Sequence, residues 1–132
     1  GPLLDRIAIH IHVQPVDVEM WNSSSHRMTS VDMCSMVQHA REIQARRFAA
    51  MEGIDCNARL PEAMLSSTCK MEPSAETMFS RAQKSLLVSA RARGHILRVV
   101  RSIADLESSD RILARHIAEA LQYRPMARER SA

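Results

Sequence analysis

The chain has 132 residues, enough for one domain that buries roughly two-thirds of the surface its unfolded form exposes. It is 45% hydrophobic and 25% charged but only 3% aromatic, so the core must be built from Leu, Ile, Val, Met and Ala; 9 Met against 3 Gly favour helices over long strands. Three cysteines without a Cys-x-x-Cys pair exclude a disulfide scaffold and fit a reducing compartment. No apolar run approaches the roughly 18 residues of a membrane span, and no signal peptide is visible, so a cytoplasmic protein is expected.

Net charge is +3, and it is unevenly spread. From Val88 onward nine Arg face five acids, while the part before Val88 carries nine basic and ten acidic residues. A basic C-terminal half suits a phosphate partner, nucleotide or nucleic acid, but equally a solvated helix face.

In chain order, residues 7–13 alternate large aliphatic with small or polar side chains and put Ile7, Ile9, Ile11 and Val13 on one face, which predicts a strand ended by Pro15. No second strand follows, so it is an orphan, and residues 1–20 are expected to be poorly anchored. The absence of an initiator Met gives the chain the look of an excised piece. Residues 22–25 read as a loop. Thr29 and Asp32 form a Thr-x-x-Asp helix start, and Met33, Met36, Val37, Ala40 and Ile43 follow at helical spacing as expected core, to about Phe48. Pro61 opens a short second helix over 61–68. A third runs from Pro73 or Ser74 to about Leu87. Ser89 caps a fourth, in which Ile96, Leu97, Val99, Val100, Ile103, Ala104 and Leu106 share one face and Arg91, Arg98, Arg101, Ser102 and Asp105 the other. A fifth spans about Leu113 to Tyr123 and stops before Pro125. The expected fold class is therefore mainly α: a bundle of about five helices over 21–124, preceded by one orphan strand and followed by a mobile tail at 125–132.

Motifs for self-contained chemistry are missing. There is no Gly-x-x-x-x-Gly-Lys-Ser/Thr phosphate loop and no Gly-x-Ser-x-Gly. Cys34 and His39 are five apart on a helix and do not share a face, and no Cys/His spacing suits zinc, so no metal site is expected; the cysteines read as small core residues. The best candidate for function is the arginine row Arg91, Arg98 and Arg101, since a guanidinium binds phosphate through a planar, permanently charged fork. Arg6, just before the strand, is a weaker candidate.

Several blocks together resemble the C-terminal part of magnesium-chelatase-like AAA+ ATPases, the ComM-like family. Gly1-Pro-Leu-Leu-Asp-Arg-Ile7 is similar to the segment closing the ATPase core. Val37-x-x-Ala40-Arg41-x-x-Gln44-x-x-Arg47-Phe48 resembles the first lid helix, and Asn57-Ala58-Arg59-Leu60-Pro61 its connector. Ser89-Ala90-Arg91 with Ile96-Leu97-Arg98-Val99 and Ser102-Ile103-Ala104-Asp105-Leu106 resembles the longest lid helix, and residues 117–124 the closing helix. The order is kept over nearly the whole chain. Arg93-Gly94-His95 departs from it, standing where the family usually carries an aromatic residue and an Arg; Ala8 stands where it usually has Asp, and His12 where it often has an acid.

The resemblance implies a helical lid, at 21–124, behind the end of a nucleotide-binding core, at 1–20. It implies ATP and magnesium as cofactors of the intact parent, with none bound by this piece alone. The implied partners are the chain's own core, neighbouring subunits of a hexamer, and DNA, with no membrane. It places Arg6 as an arginine finger acting on the neighbour's γ-phosphoryl. It places Arg91 as the sensor 2 arginine, touching γ-phosphate in its own subunit. Motor work on DNA, as in the branch migration associated with ComM-like proteins, is the first expected function. The lid of a metal-insertion ATPase and a free-standing helical interaction or DNA-binding domain are the alternatives. No ATPase activity is expected of the chain alone.

Overall fold

The computed structural model describes residues 3–21 and 27–124. The expected loop at 22–25 and the expected mobile tail at 125–132 lie entirely outside them. A 3-10 turn at Leu4–Arg6 and a single helical turn, α1 (Val18–Trp21), precede the long α2 (Ser30–Arg47). A second 3-10 turn, Asn57–Arg59, leads to α3 (Glu62–Thr68), α4 (Pro73–Ser85), α5 (Ala90–Leu106) and α6 (Ala114–Gln122). The fold is mainly α, and α2 to α6 match the five expected helices to within a few residues.

The helix starts follow the local chemistry read from the sequence. Thr29 Oγ1 accepts the Asp32 N–H and the Asp32 carboxylate accepts the Thr29 N–H, both at 3.1 Å, closing a reciprocal cap on α2. Ser89 Oγ accepts the Ala92 N–H at 3.1 Å at the start of α5. The α6 cap was not foreseen: His116 Nδ1 accepts the Leu113 N–H at 2.9 Å, so an imidazole stands where a capping box has Glu or Gln.

Helix α5 is the axis of the domain. Its Ile96, Leu97, Val100, Ile103 and Ala104 pack with Leu60, Leu65, Ala75, Phe79, Ile112, Ile117 and Ala120 in one core. The two linkers flanking α4 and α6 are tied by a parallel bridge between Met71 and Ile112, with Ile112 N–H donating to Lys70 C=O and Glu72 N–H to Ile112 C=O, each at 2.9 Å.

Two expectations are corrected. Residues 7–13 form no strand. Ile7, Ile9, Ile11 and Val13 are 47, 48, 70 and 81% exposed, and the segment's tie to the bundle is the His10 N–H on Tyr123 C=O at 2.6 Å. Period-two hydrophobicity specifies extended backbone, but a strand also needs a neighbour to accept its ladder. The second correction concerns α2. Ala40 is buried and Ile43 half-buried, whereas Met33, Met36 and Val37 are 52, 39 and 52% exposed. The reason is length. Helix α5 ends at Leu106 and turns through Ser108, whose Oγ meets His39 Nε2 at 2.7 Å, so the first turns of α2 run past the element that would cover them.

The turn after α4 carries a conformational cost. Helix α4 closes with Val88 N–H on Gln83 C=O at 3.2 Å, a Schellman arrangement whose left-handed residue is Leu87, φ 49°. Leu87 is 87% exposed, so burial does not offset the strain. Leu87→Gly should raise stability by about 1 kcal/mol, read from urea denaturation. Unchanged or lower stability would show that the leucine holds a contact which the strain serves.

Candidate functional site

The arginine row divides once α5 is packed. Arg101 was expected on a solvated face and is instead 1% exposed, as is Asp105. Helix α5 is covered on its apolar side by α3 and α6 and on its polar side by α2 and the Asn57–Arg59 turn, so a two-faced helix in the sequence is enclosed in the fold. Arg101 Nε donates to Asp105 Oδ1 at 3.1 Å, and its other nitrogens donate to the carbonyls of Asp110, at 2.9 Å, and Ser109. It therefore pins the loop between α5 and α6.

Asp105 is the centre of that network. Arg47 reaches it from α2 in a bidentate fork, 2.8 and 2.6 Å. Asn57 Nδ2 donates to it at 2.8 Å and to Ser102 Oγ at 3.1 Å, while Asn57 N–H donates to the buried Gln44 Oε1 at 2.8 Å. Gln44, Arg47, Asn57, Ser102 and Asp105 come from three of the sequence blocks that carried the resemblance, and they meet at one buried node. Their role is architectural. The spacing of Arg101 and Asp105, four apart on a helix, was the signal in the sequence; their burial was not legible there.

Arg98 is also committed. Its Nε and Nη2 donate to Leu60 C=O at 3.0 and 2.7 Å, and Glu62 lies 3.3 Å away. Gly94 permits this approach, since a Cβ there would run into the Glu62 carboxylate. Because that carboxylate is the free end of an exposed side chain, Gly94→Ala should displace it, and the helix-propensity gain should hold the net change within about 1 kcal/mol. A thermal melt that drops far more would mean that Glu62 is fixed. Arg93 lines a recess of about 210 Å³ with Glu76, Phe79 and Leu97, on the apolar side of the helix.

Arg91 is what remains. It stands in the first turn of α5, exposed, with no hydrogen bond or ion pair among the described residues. No acid shares that turn, so the cation faces the positive end of the helix dipole, which is mildly destabilising. Helix stability does not account for arginine there. Arg6, on the Leu4–Arg6 turn, is exposed too, and shares an open groove of about 770 Å³ with His95, Arg98, Val99, Ser102 and Tyr123. His95 of that groove lies one turn beyond Arg91 on α5.

The other reactive groups are accounted for by structure. Cys69 is buried, donates weakly to Leu97 C=O at 3.6 Å, and burial pushes its thiol up to about 11, so it is an inert core residue. Cys34 is exposed, contrary to the expectation of a core cysteine. Hydrogen bonds from Arg115 and His116 hold the Glu107 carboxyl below its usual value. Among the described residues no cluster of three His, Cys, Asp or Glu could hold a metal ion, and no described helix is long and apolar enough to cross a membrane.

This bundle, its polar node and its blocks define the class. The chain belongs to the family described as magnesium chelatase, subunit ChlI C-terminal, whose model matches residues 27–124. Among its relatives is competence protein ComM of Haemophilus influenzae, 34% identical over 129 residues, 97% of this chain and 24% of that protein. Uncharacterized protein YifB of Escherichia coli is 30% identical over 130 residues, again covering 97% and 24%. The chain therefore spans about a quarter of the length of these relatives.

Proposed function

We propose that this domain is the lid of a ComM-like AAA+ ATPase and that it couples ATP binding and hydrolysis to motor work on DNA in the cytoplasm. The observation that carries the reading is the division of labour among the arginines of α5. Arg98 and Arg101 are consumed by contacts within the bundle, while Arg91 is held exposed at the helix start, where only an anion from outside would stabilise it. Family membership, and the likeness to the competence protein, favour a nucleotide phosphate as that anion. Arg91 then reads the γ-phosphate in its own subunit. Arg6, on the segment leading into the bundle, acts as the finger for the neighbouring subunit of a hexamer. ATP and magnesium are held by the core of the intact protein.

The description of the family favours a second reading, the lid of a metal-insertion ATPase. One experiment separates the two: the ATP-dependent dissociation of a labelled four-way DNA junction by a full-length protein carrying this domain. Junction dissociation that requires hydrolysis supports the motor. An active ATPase that neither binds nor moves any DNA would overturn it and leave metal insertion.

A further inference from the structure

His95 is the residue on the Arg91 side of α5 that the lid reading does not use. It is half-buried, and its ring makes no hydrogen bond among the described residues, whereas those of His10, His39 and His116 each have one. Its surroundings are crowded with cations. Arg91 is four residues before it on the same face, and Arg98 three residues after. Arg124, following α6, shares a recess with it together with His10 of the N-terminal segment, and Arg6 shares the larger groove. Glu62 of α3 and Glu119 of α6 are the acids on its side; Glu62 is held by Arg98, and Glu119, which lines the larger groove, accepts the Tyr123 O–H at 3.1 Å.

We propose that His95 is a second phosphate-contacting residue beside Arg91, and that it takes up a proton when the terminal phosphate of a nucleotide binds. The inference rests on the reading of Arg91 as a phosphate contact. The reasoning is electrostatic and geometric. Residues four apart on a helix are neighbours on one face, with Cβ atoms about 5–6 Å apart, close enough for both side chains to reach one tetrahedral anion. Without an anion, partial burial first, and then the fields of Arg98 and Arg91, hold His95 below the ordinary histidine range, so its ring is neutral at neutral pH. An anion seated on Arg91 reverses that field. The bound state then holds more protons than the free state, so anion affinity rises as pH falls from the raised value of the complex towards the lowered value of the free domain. The neutral ring still offers one N–H above that window.

The test uses the whole 132-residue chain and sulfate, a tetrahedral anion that does not itself titrate near neutrality. Histidine ring signals are followed by NMR against pH, with and without sulfate at matched ionic strength. The expected result is an upward shift of the His95 titration in sulfate while His39 stays unmoved. Sulfate affinity should rise at least about threefold from about pH 7.5 to about pH 5.5. His95→Gln should retain binding and lose that slope; Arg91→Ala should weaken binding at both pH values. An unmoved His95 titration, or the same slope in His95→Gln, overturns the proposal, as does no detectable sulfate binding. If Arg91 signals respond to sulfate and His95 does not, the lid reading stands and this inference falls. If His95 responds equally in Arg91→Ala, the shared site is wrong. Displacement of sulfate by ATP is expected, and displacement by a short DNA duplex alone overturns the assignment to a nucleotide.

Discussion

Asp105→Ala should cost about 3–5 kcal/mol of folding free energy, a large share of the roughly 5–15 kcal/mol that holds a domain folded. Asp105 is the acid that neutralises two arginines at once, Arg47 from α2 and Arg101 from α5, and Arg101 has 2% of its side chain exposed. Removing the carboxylate leaves Arg101 charged, desolvated and without its counter-ion. It also removes one of the two acceptors of Asn57 Nδ2 and loosens the attachment of α2 and of the 109–110 loop. Urea denaturation followed by circular dichroism measures the loss. The combined replacement Arg47→Met, Arg101→Met and Asp105→Leu should recover most of it, because apolar groups of similar volume need no counter-charge. A change of under 1 kcal/mol for the single variant would show that water reaches the node and that its burial is not what matters.

Arg91→Ala, in a full-length protein carrying this domain, should lower ATP turnover on the order of 10²–10³-fold, the effect of one preorganised donor aimed at developing charge. The fold should be untouched, since Arg91 is exposed and makes no hydrogen bond among the described residues. The loss should appear in turnover more than in nucleotide affinity, because charge on the transferring phosphoryl is redistributed in the transition state. The choice of control matters. Arg98 and Arg101 sit on the same helix but hold Leu60 C=O and the Ser109–Asp110 carbonyls, so their alanine variants report on folding. Arg81, exposed on α4, is the better comparison, and Arg81→Ala should leave turnover within about twofold if a general basic face is not at work. Equal rates for Arg91→Ala and the parent would end the sensor reading. A salt-dependent loss of DNA binding in both variants would point to a nucleic-acid surface.

Local rules sufficed for much of this protein. The capping pair Thr29 and Asp32, the Ser89 cap, Pro61 just before α3, Pro73 opening α4, and the 3.6-residue periodicity of 96–106 set the helices to within a few residues, because each depends on atoms close in sequence. The family was legible as well, since ordered blocks survive as strings. Tertiary structure alone decided which residues of those strings are buried and what they touch. Periodicity ranks residues by hydrophobicity and assumes one covered face, but α5 is covered on two, so Arg101 and Asp105 went inside as a pair while Met33, Met36 and Val37, apolar and well spaced, stayed outside beyond its end. The same limit applies to residues 7–13, where alternation predicted a strand and the partner that would make it one is absent among the described residues. Burial and hydrogen-bond partners belong to neighbouring elements. That is why Arg91, Arg98 and Arg101 look alike in the sequence and differ in the fold.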